Sequence, residues 1–588
     1  MASPGDTSTA NLAAPGSAPV PAPPSATMPA DDTDCSTPSG AIATTGPAPP
    51  SHELPGSTPK QGQPAPTSIF HGSAGAVRQA VCSVSLCMVM LLTQAALGAT
   101  IFGGSYIADT FGLADDPEQQ SWFAAAFSLT VGTFVLPAGR LGDLYGNRIM
   151  VLVGYAWVGA WSLVAGLSHY TRSAIFFDVC RGLQGLGFAV LLPNSLAVLA
   201  RIFPPQSRAK RLTFCLYAAT APSGAVLGGT FTCLLGATVG WWWGFYLLAI
   251  VCAALVVICT AVVPSDRQLH DLGRAFLAQD DEKHQHDAAF KDEEVADVDE
   301  ARSISPSHQD QPGQRAAHRP LWERLDLLGM VLGVSGLVLF NFAWNQALLV
   351  GWSTVYVYVL LIVGVMLLCA FVVWESRASL PLLPTSIFNL QGCLILGALA
   401  LGWSAFSIWL FYITQFVIRQ RGYSPLGSVA ALSPAAIAGV VAAFSSERIL
   451  ARFGSKVVML LALIAFTTGI SIAGTAPVEQ TYWAQTFVAS FVMPFGMDMS
   501  FPSASIILSD MLPHHRQGEA SSLVNTVVNY SVALGLGIAG TVESQVNRQG
   551  TDELRGYRGA FYLGIGLGAL GVLMSVINLA ISTQRRSA

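Results

Sequence analysis

Charge is what this sequence has least of. Only 11% of its 588 residues are Asp, Glu, Lys or Arg, whereas soluble domains usually carry about 25%. That scarcity excludes an ordinary soluble domain, and nothing in the chain resembles the basic patch that nucleic-acid binding requires. Cysteine is present but unpatterned. Nine of the ten, Cys82, Cys87, Cys180, Cys215, Cys233, Cys252, Cys259, Cys369 and Cys393, lie in or beside apolar runs, and only Cys35 sits in a polar segment. Within apolar runs Cys behaves as a small apolar residue, so neither a disulfide framework nor a metal-ligand spacing is expected. The nucleotide-cradling pattern GxxxxGK[ST] is missing, which argues against an ATP-driven machine. No basic start with a short apolar core precedes the first long apolar run, so that run is expected to act as the insertion signal. The single N-x-S/T sequon, Asn529-Tyr530-Ser531, falls inside an apolar run, and no N-glycan is expected.

Apolar length is what the sequence has in excess. Hydrophobic residues make up 52% of it, and runs of roughly 20 residues recur, each enough to cross about 30 Å of hydrocarbon. The runs are too long and continuous for barrel strands. An all-α polytopic membrane protein is expected, with fourteen spans at about 81–107, 121–141, 149–168, 174–200, 212–236, 242–263, 326–349, 353–375, 389–416, 426–446, 456–476, 482–510, 521–543 and 559–582.

Composition divides the chain. Residues 1–75 are rich in Pro, Ala, Ser, Thr and Gly and hold 15 of the 33 prolines before position 71; such a tail cannot bury a core. Residues 264–325 carry fourteen acids and eight bases and read as a polar linker, with His284 and His286 part of its solvated run rather than metal ligands. The expected organisation is a tail (1–75), six spans (76–263), the linker (264–325), an inserted pair (326–375), six more spans (376–582) and a short tail (583–588). With the N-terminus inside, short inner loops and tail hold thirteen Lys and Arg against six outside. The positive-inside rule then puts both termini in the cytoplasm.

One stretch organises the rest: Gly139 to Met150, GRLGDLYGNRIM. It reads as a tight loop between two spans, with Gly139, Gly142 and Gly146 allowing sharp turning and close approach. Arg140 and Arg148 anchor the positive side. Asp143 is expected to pair with those arginines or with a helix N-terminus. A weaker copy, ERILARFGSKVV, aligns Gly454 with Gly146 at an offset of 308. LPNSLAVLARIFPP (192–205) matches FPSASIILSDMLPH (501–514) at an offset of 309. The first six and last six spans therefore read as two parallel copies of one unit, related by an axis along the membrane normal.

GRLGDLYGNRIM resembles motif A of the major facilitator superfamily. The resemblance implies the major facilitator fold: two six-helix halves plus two inserted helices, 14 spans in all. RGLQGLG, with Arg181 and Gln184, resembles motif B of proton-coupled members, where this arginine is implicated in proton transfer. APSGAVLGGTF, with Pro222, Gly224, Gly228 and Gly229, resembles the antiporter motif C, except that Ala225 stands where a proline belongs. These small residues equally serve close helix packing. The whole apolar region is similar to the fungal 14-span drug:proton antiporter family, its FGMDMSFPSASIILSDMLP stretch especially to the aminotriazole-resistance branch.

Candidate functional residues are few. Asp498 lies near the middle of its run, the one carboxylate at that depth, where a charge is costly and a proton can be loaded and released; the alternative is a carboxyl satisfied by a neighbouring helix. Asp178 and Arg181 stand one turn apart and can pair on one helix face, or Arg181 can face a cavity, bordering it together with Asp498. Gln94, Trp403, Trp409, Tyr412 and Gln415 are expected to line that cavity, since in resembling proteins the first helix of each triplet does so; an interfacial aromatic belt is the other reading. An aromatic, weakly charged cavity suits an apolar or amphiphilic solute. The resemblance implies a non-enzymatic secondary transporter, acting as a monomer in the plasma or vacuolar membrane. It would use a proton gradient and no cofactor to export a xenobiotic or a self-made metabolite. An importer of a small polar solute, ammonium- or borate-like, and a non-transporting membrane sensor are the alternatives.

Overall fold

The computed structural model describes residues 72–114, 116–204, 207–269, 271–272, 325–378, 381–383, 385–512, 517–547 and 551–587. The tail expected at 1–75 and the linker at 264–325, with His284 and His286, lie outside the described residues except at their edges.

Fourteen helices are long and apolar enough to cross a membrane: α1 (Gly72–Phe102), α2 (Pro117–Tyr145), α3 (Asn147–Leu167), α4 (Ala174–Ile202), α5 (Arg208–Thr238), α6 (Trp242–Val262), α7 (Leu327–Val350), α8 (Val355–Glu375), α9 (Leu390–Gln415), α10 (Pro425–Phe453), α11 (Ser455–Gly474), α12 (Thr486–Ser509), α13 (Gln517–Val546) and α14 (Glu553–Ser587). The shortest, α11, has 20 residues, about 30 Å at 1.5 Å per residue. No strand occurs among the described residues. This is a multi-pass integral membrane protein.

Several boundaries differ from the expected ones, and for one reason. Hydropathy ends at the first charged residue, but intrahelical hydrogen bonding does not. α10 runs through Arg448 and Arg452 to Phe453, and α14 begins at Glu553 and extends to Ser587, through most of the tail expected at 583–588. The first span is interrupted: α1 stops at Phe102, and a separate short helix, Gly104–Phe111, follows Gly103.

Packing repeats between the halves. Within the first, α1 packs on α5, α2 and α3 on α4, and α3 on α6; within the second, α9 packs on α13, α10 and α11 on α12, and α11 on α14. The correspondence is helix for helix, α1 with α9 through α6 with α14. The halves meet at two seams, α2 on α13 and α5 on α10. α7 packs on α8, α2 and α13, so the inserted pair sits against the first seam. The most apolar stretch of α8 is 11% buried, against 72% for α4 and α9. α8 therefore presents most of its surface to lipid, and α4 and α9 are central. α1 begins and α14 ends at one face of the molecule, the terminal face; the opposite one is the far face.

Candidate functional site

Depth and isolation single out one side chain. Asp498 is the thirteenth of the 24 residues of α12, which carries Pro494 and Pro502 inside its helix. It is 3% exposed, and its Oδ2 is buried without a hydrogen-bond partner. A carboxylate held charged there, unpaired, costs several kcal/mol.

Asp498 borders a cavity of about 420 Å³, within the range of small-molecule sites. Its walls come from both halves: Tyr217 and Cys215 of α5, Ser446 and Glu447 of α10, and Phe501 and Ser505 of α12. At the terminal face Arg211 of α5 and Glu447 of α10 form an ion pair of 3.4 Å across the seam. A neighbouring space of about 260 Å³ shares Leu196, Lys210 and Phe214 with it and reaches Gly139, Arg140 and Asp143.

Arg181 is elsewhere. It is fully buried and does not line that cavity. Its Nε donates to the Phe123 carbonyl at 3.1 Å, its Nη2 to the Ala96 carbonyl at 2.8 Å, and its Nη1 to Gln184. Gln184 in turn donates to Ser162 Oγ at 2.6 Å. The guanidinium lies 4.5 Å from the Phe127 ring centroid. Arg181 thus ties α4 to α1, α2 and, through Gln184, α3. Among the described residues no ion pair joins it to Asp178, whose Oδ1 is buried and unpartnered. The expected shared border with Asp498 and the expected Asp178 pairing are both corrected: the arginine's fork is occupied by acceptors on neighbouring helices.

The aromatic residues of α9 are packed rather than lining the cavity. Trp403 stacks edge-on with Phe406 at 5.4 Å and donates to Ser500 Oγ at 3.1 Å. Trp409 is 2% exposed and lies 6.1 Å from Phe406. Tyr412 and Gln415 line a different space of about 10 Å³, enclosed with Glu543, Tyr557 and Ser121, which is room for one water. Gln94 is buried on α1. The sequence reading missed Tyr217, Ser446, Glu447 and Phe501. It assigned the cavity to the first helix of each triplet, which includes α12 but not α5 and α10, where Tyr217, Ser446 and Glu447 lie. The one available signal was an acid, Glu447, opening the second copy of the Gly139 stretch.

The Gly139–Met150 stretch is not a loop. α2 continues to Tyr145 and α3 starts at Asn147, leaving Gly146 as the whole joint, with φ +101°. Gly454 repeats this between α10 and α11 with φ +81°. Only glycine adopts such a backbone without strain. A Cβ on Gly142 would overlap Asn194 of α4, so this glycine lets α2 and α4 close. Asp143 pairs with neither Arg140 nor Arg148 but with Arg201 of α4, at 3.8 Å. The α3 N-terminus is served instead by Asp266, whose Oδ1 accepts from the Arg148 N–H at 2.9 Å. The Arg148 guanidinium donates to the Thr260 carbonyl at 2.6 Å. Arg140 donates to the Pro381 carbonyl at 2.9 Å and lies 3.9 Å from Glu519 of α13. Gly139 faces Ser522 of α13, whose Oγ would be 2.9 Å from an added Cβ. Gly139 and Arg140 therefore belong to the seam between halves.

Gly224 and Gly228 bring α5 onto α1 backbone to backbone: a Cβ on either would overlap the Leu91 or Ala95 carbonyl. Gly229 is covered by Phe102. Pro222 points the other way, against Gly439 of α10.

Two six-helix halves with matching packing and a cavity between them are the architecture of a membrane carrier. The sequence matches the description Major Facilitator Superfamily over residues 84–456 and again over 394–587, and the chain belongs to that superfamily. It is 45% identical over 490 residues to a protein named low affinity ammonium transporter from Saccharomyces cerevisiae, covering 83% of this chain and 86% of that one. It is 40% identical to efflux pump terJ of Aspergillus terreus, with 86% and 88% covered. It is 36% identical to the aminotriazole resistance protein of Saccharomyces cerevisiae, with 83% and 82% covered. A peptide transporter of the POT type in complex with sulfate is similar in fold, with a TM-score of 0.53 at 15% identity over 86% of this chain and 94% of that one. The chain is a transporter for a small-molecule substrate, not an enzyme.

Proposed function

We propose that this transporter exports an apolar or amphiphilic small molecule, a xenobiotic or a self-made metabolite, in exchange for protons by alternating access. The observation that carries this reading is Asp498: an unpartnered carboxylate buried 97% at mid-span, on the wall of a cavity built from both halves. A carboxyl in that position must be neutral whenever the cavity closes around it, so its proton is carried through the cycle. Relatives named as efflux pumps or resistance proteins support export. The excess of Lys and Arg in the short loops of the terminal face supports a cytoplasmic orientation of that face. Transport as a monomer, from the plasma or the vacuolar membrane, completes the reading.

The relative named as an ammonium transporter favours a second reading, entry of a small polar cation. Size argues for the first: about 420 Å³ far exceeds what such an ion needs. Uptake of a fluorescent amphiphile into inside-out vesicles, with and without an imposed pH gradient, tests the proposal. The wild-type protein is expected to accumulate the amphiphile only with the gradient, and Asp498→Asn, though present in the membrane, not to accumulate it. A gradient response in Asp498→Asn equal to wild type removes Asp498 as the coupling site. Accumulation of ammonium but of no amphiphile favours the second reading.

A further inference from the structure

Three helices converge on one glycine. A Cβ placed on Gly439 of α10 would overlap the ring of Pro222 on α5 and would stand 2.8 Å from Asp498 Oδ2 on α12. The carboxylate oxygen without a partner is thus lodged in a notch that exists only because residue 439 has no side chain. One wall of the notch is the α10 backbone, and the other is a proline that offers no donor. The notch lies on the α5–α10 seam, where the halves must part and rejoin.

We propose that Gly439 is a positioning residue of the transport cycle: its notch receives the uncharged carboxyl of Asp498 and expels the charged one, so that proton loading holds α5 against α10 and proton release opens the seam. This rests on the export reading above and adds to it the place where a proton becomes a movement. The argument is energetic. A neutral carboxyl loses little beside apolar atoms, whereas an ionised one left there unpaired costs several kcal/mol. That exceeds the 1.4 kcal/mol that shifts a two-state equilibrium tenfold. The ionised group can escape only toward the cavity and its water, and the seam loses its filling as it leaves.

The titratable groups facing this cavity are Lys210, Arg211, Cys215 and Tyr217 of α5, Glu447 of α10 and Asp510 at the C-terminal end of α12. Among the described residues no hydrogen bond or ion pair joins any of them to Asp498. Arg211 and Glu447 are engaged with each other at the mouth. The notch therefore answers to the protonation of Asp498 itself, while the mouth pair sets a background against which the seam moves.

The experiment uses the full chain, purified in detergent and in vesicles, with Cys215 as its one remaining cysteine. The alkylation rate of Cys215, divided by that of the same protein unfolded at each pH, reports opening of the seam. In the parent this ratio is expected to rise about tenfold or more as pH increases through the ionisation of Asp498. Asp498→Asn is expected to hold it low at every pH, and Gly439→Ala to hold it high at every pH with gradient-driven accumulation lost. Because Gly439→Ala can disturb folding, a second variant accompanies it. In Pro222→Ala/Gly439→Ala the proline ring makes way for the new methyl, and the pH response is expected to return at least in part. A Gly439→Ala protein that reaches the membrane with the parent's pH response overturns the proposal. So does a double variant as unresponsive as Gly439→Ala. If Asp498→Asn abolishes coupling while Gly439→Ala leaves the response unchanged, the notch fails and the export reading stands; a gradient response retained in Asp498→Asn defeats both.

Discussion

Arg181 and Asp498 are both buried inside spans, yet their polar atoms meet different fates. The guanidinium is met by two main-chain carbonyls and the Gln184 side chain and stacked on Phe127, and it serves as a staple between four helices. The carboxylate keeps an oxygen with no partner. A lysine in place of Arg181 retains the charge but offers a point donor instead of a planar fork. Arg181→Lys is expected to lower stability by about 3 kcal/mol, the usual scale for breaking up a buried charged network. It should be read as a lower melting temperature in detergent, with gradient coupling preserved in whatever protein remains folded. Loss of coupling without loss of stability would instead make the arginine part of the proton path. Asp498 was legible in the sequence because one carboxylate interrupts an otherwise apolar run. The partners of Arg181 were not, because they are mostly backbone carbonyls on other helices, which leave no mark on residue identity. Trp403 and Trp409 misled for a related reason: an aromatic on a central helix looks the same whether it faces a substrate or packs against Phe406.

Glycine decides how the helices meet. Gly146 and Gly454 turn the chain between consecutive spans within a single residue, and Gly224 and Gly228 seat α5 on the α1 backbone. Substituting Gly228→Val puts a branched side chain where the Ala95 carbonyl already lies. It is expected to cost more than the 1–3 kcal/mol typical of overpacking, because backbone rather than a flexible side chain must move. Size-exclusion chromatography should show little monodisperse protein, whereas Gly566→Val, at a glycine of α14 with open space around its Cβ, should elute as wild type. At this scale the sequence was informative about the number of helices and their repetition. Both follow from apolar run length and from the recurrence of GRLGDLYGNRIM and LPNSLAVLARIFPP. It was less informative about the ends. Charged residues such as Arg448 and Glu553 continue a helix into the interface while ending its hydropathy. The stretch that looked most like a loop, Gly139–Met150, is helix on either side of Gly146, because Gly146 alone makes the turn while Gly139 and Gly142 serve the contacts with Ser522 and Asn194.

The two halves are held together differently at the two faces. At the terminal face, charges bridge both seams: Arg140 approaches Glu519 at 3.9 Å between α2 and α13, and Arg211 pairs with Glu447 at 3.4 Å between α5 and α10. At the far face, Arg419, just beyond α9, donates to the Ala114 carbonyl of the first half at 3.1 Å and pairs with Glu553 at 3.5 Å. If the halves rock about the cavity, contacts at one face must yield when the other closes, and weakening either set biases the equilibrium in opposite directions. Partly exposed pairs of this kind contribute up to about 1 kcal/mol each, which corresponds to roughly a fivefold change in the ratio of the two states. Arg211→Ala is therefore expected to raise Cys215 alkylation about two- to fivefold, because the terminal face opens more often. Arg419→Ala is expected to lower it by a similar factor, because the far face now competes. Both variants should slow net transport, since either bias lengthens one half of the cycle. The decisive outcome is the sign. If both substitutions increase Cys215 reactivity, the two faces loosen independently, and the rigid rocking of two six-helix halves is the wrong description of how this molecule moves.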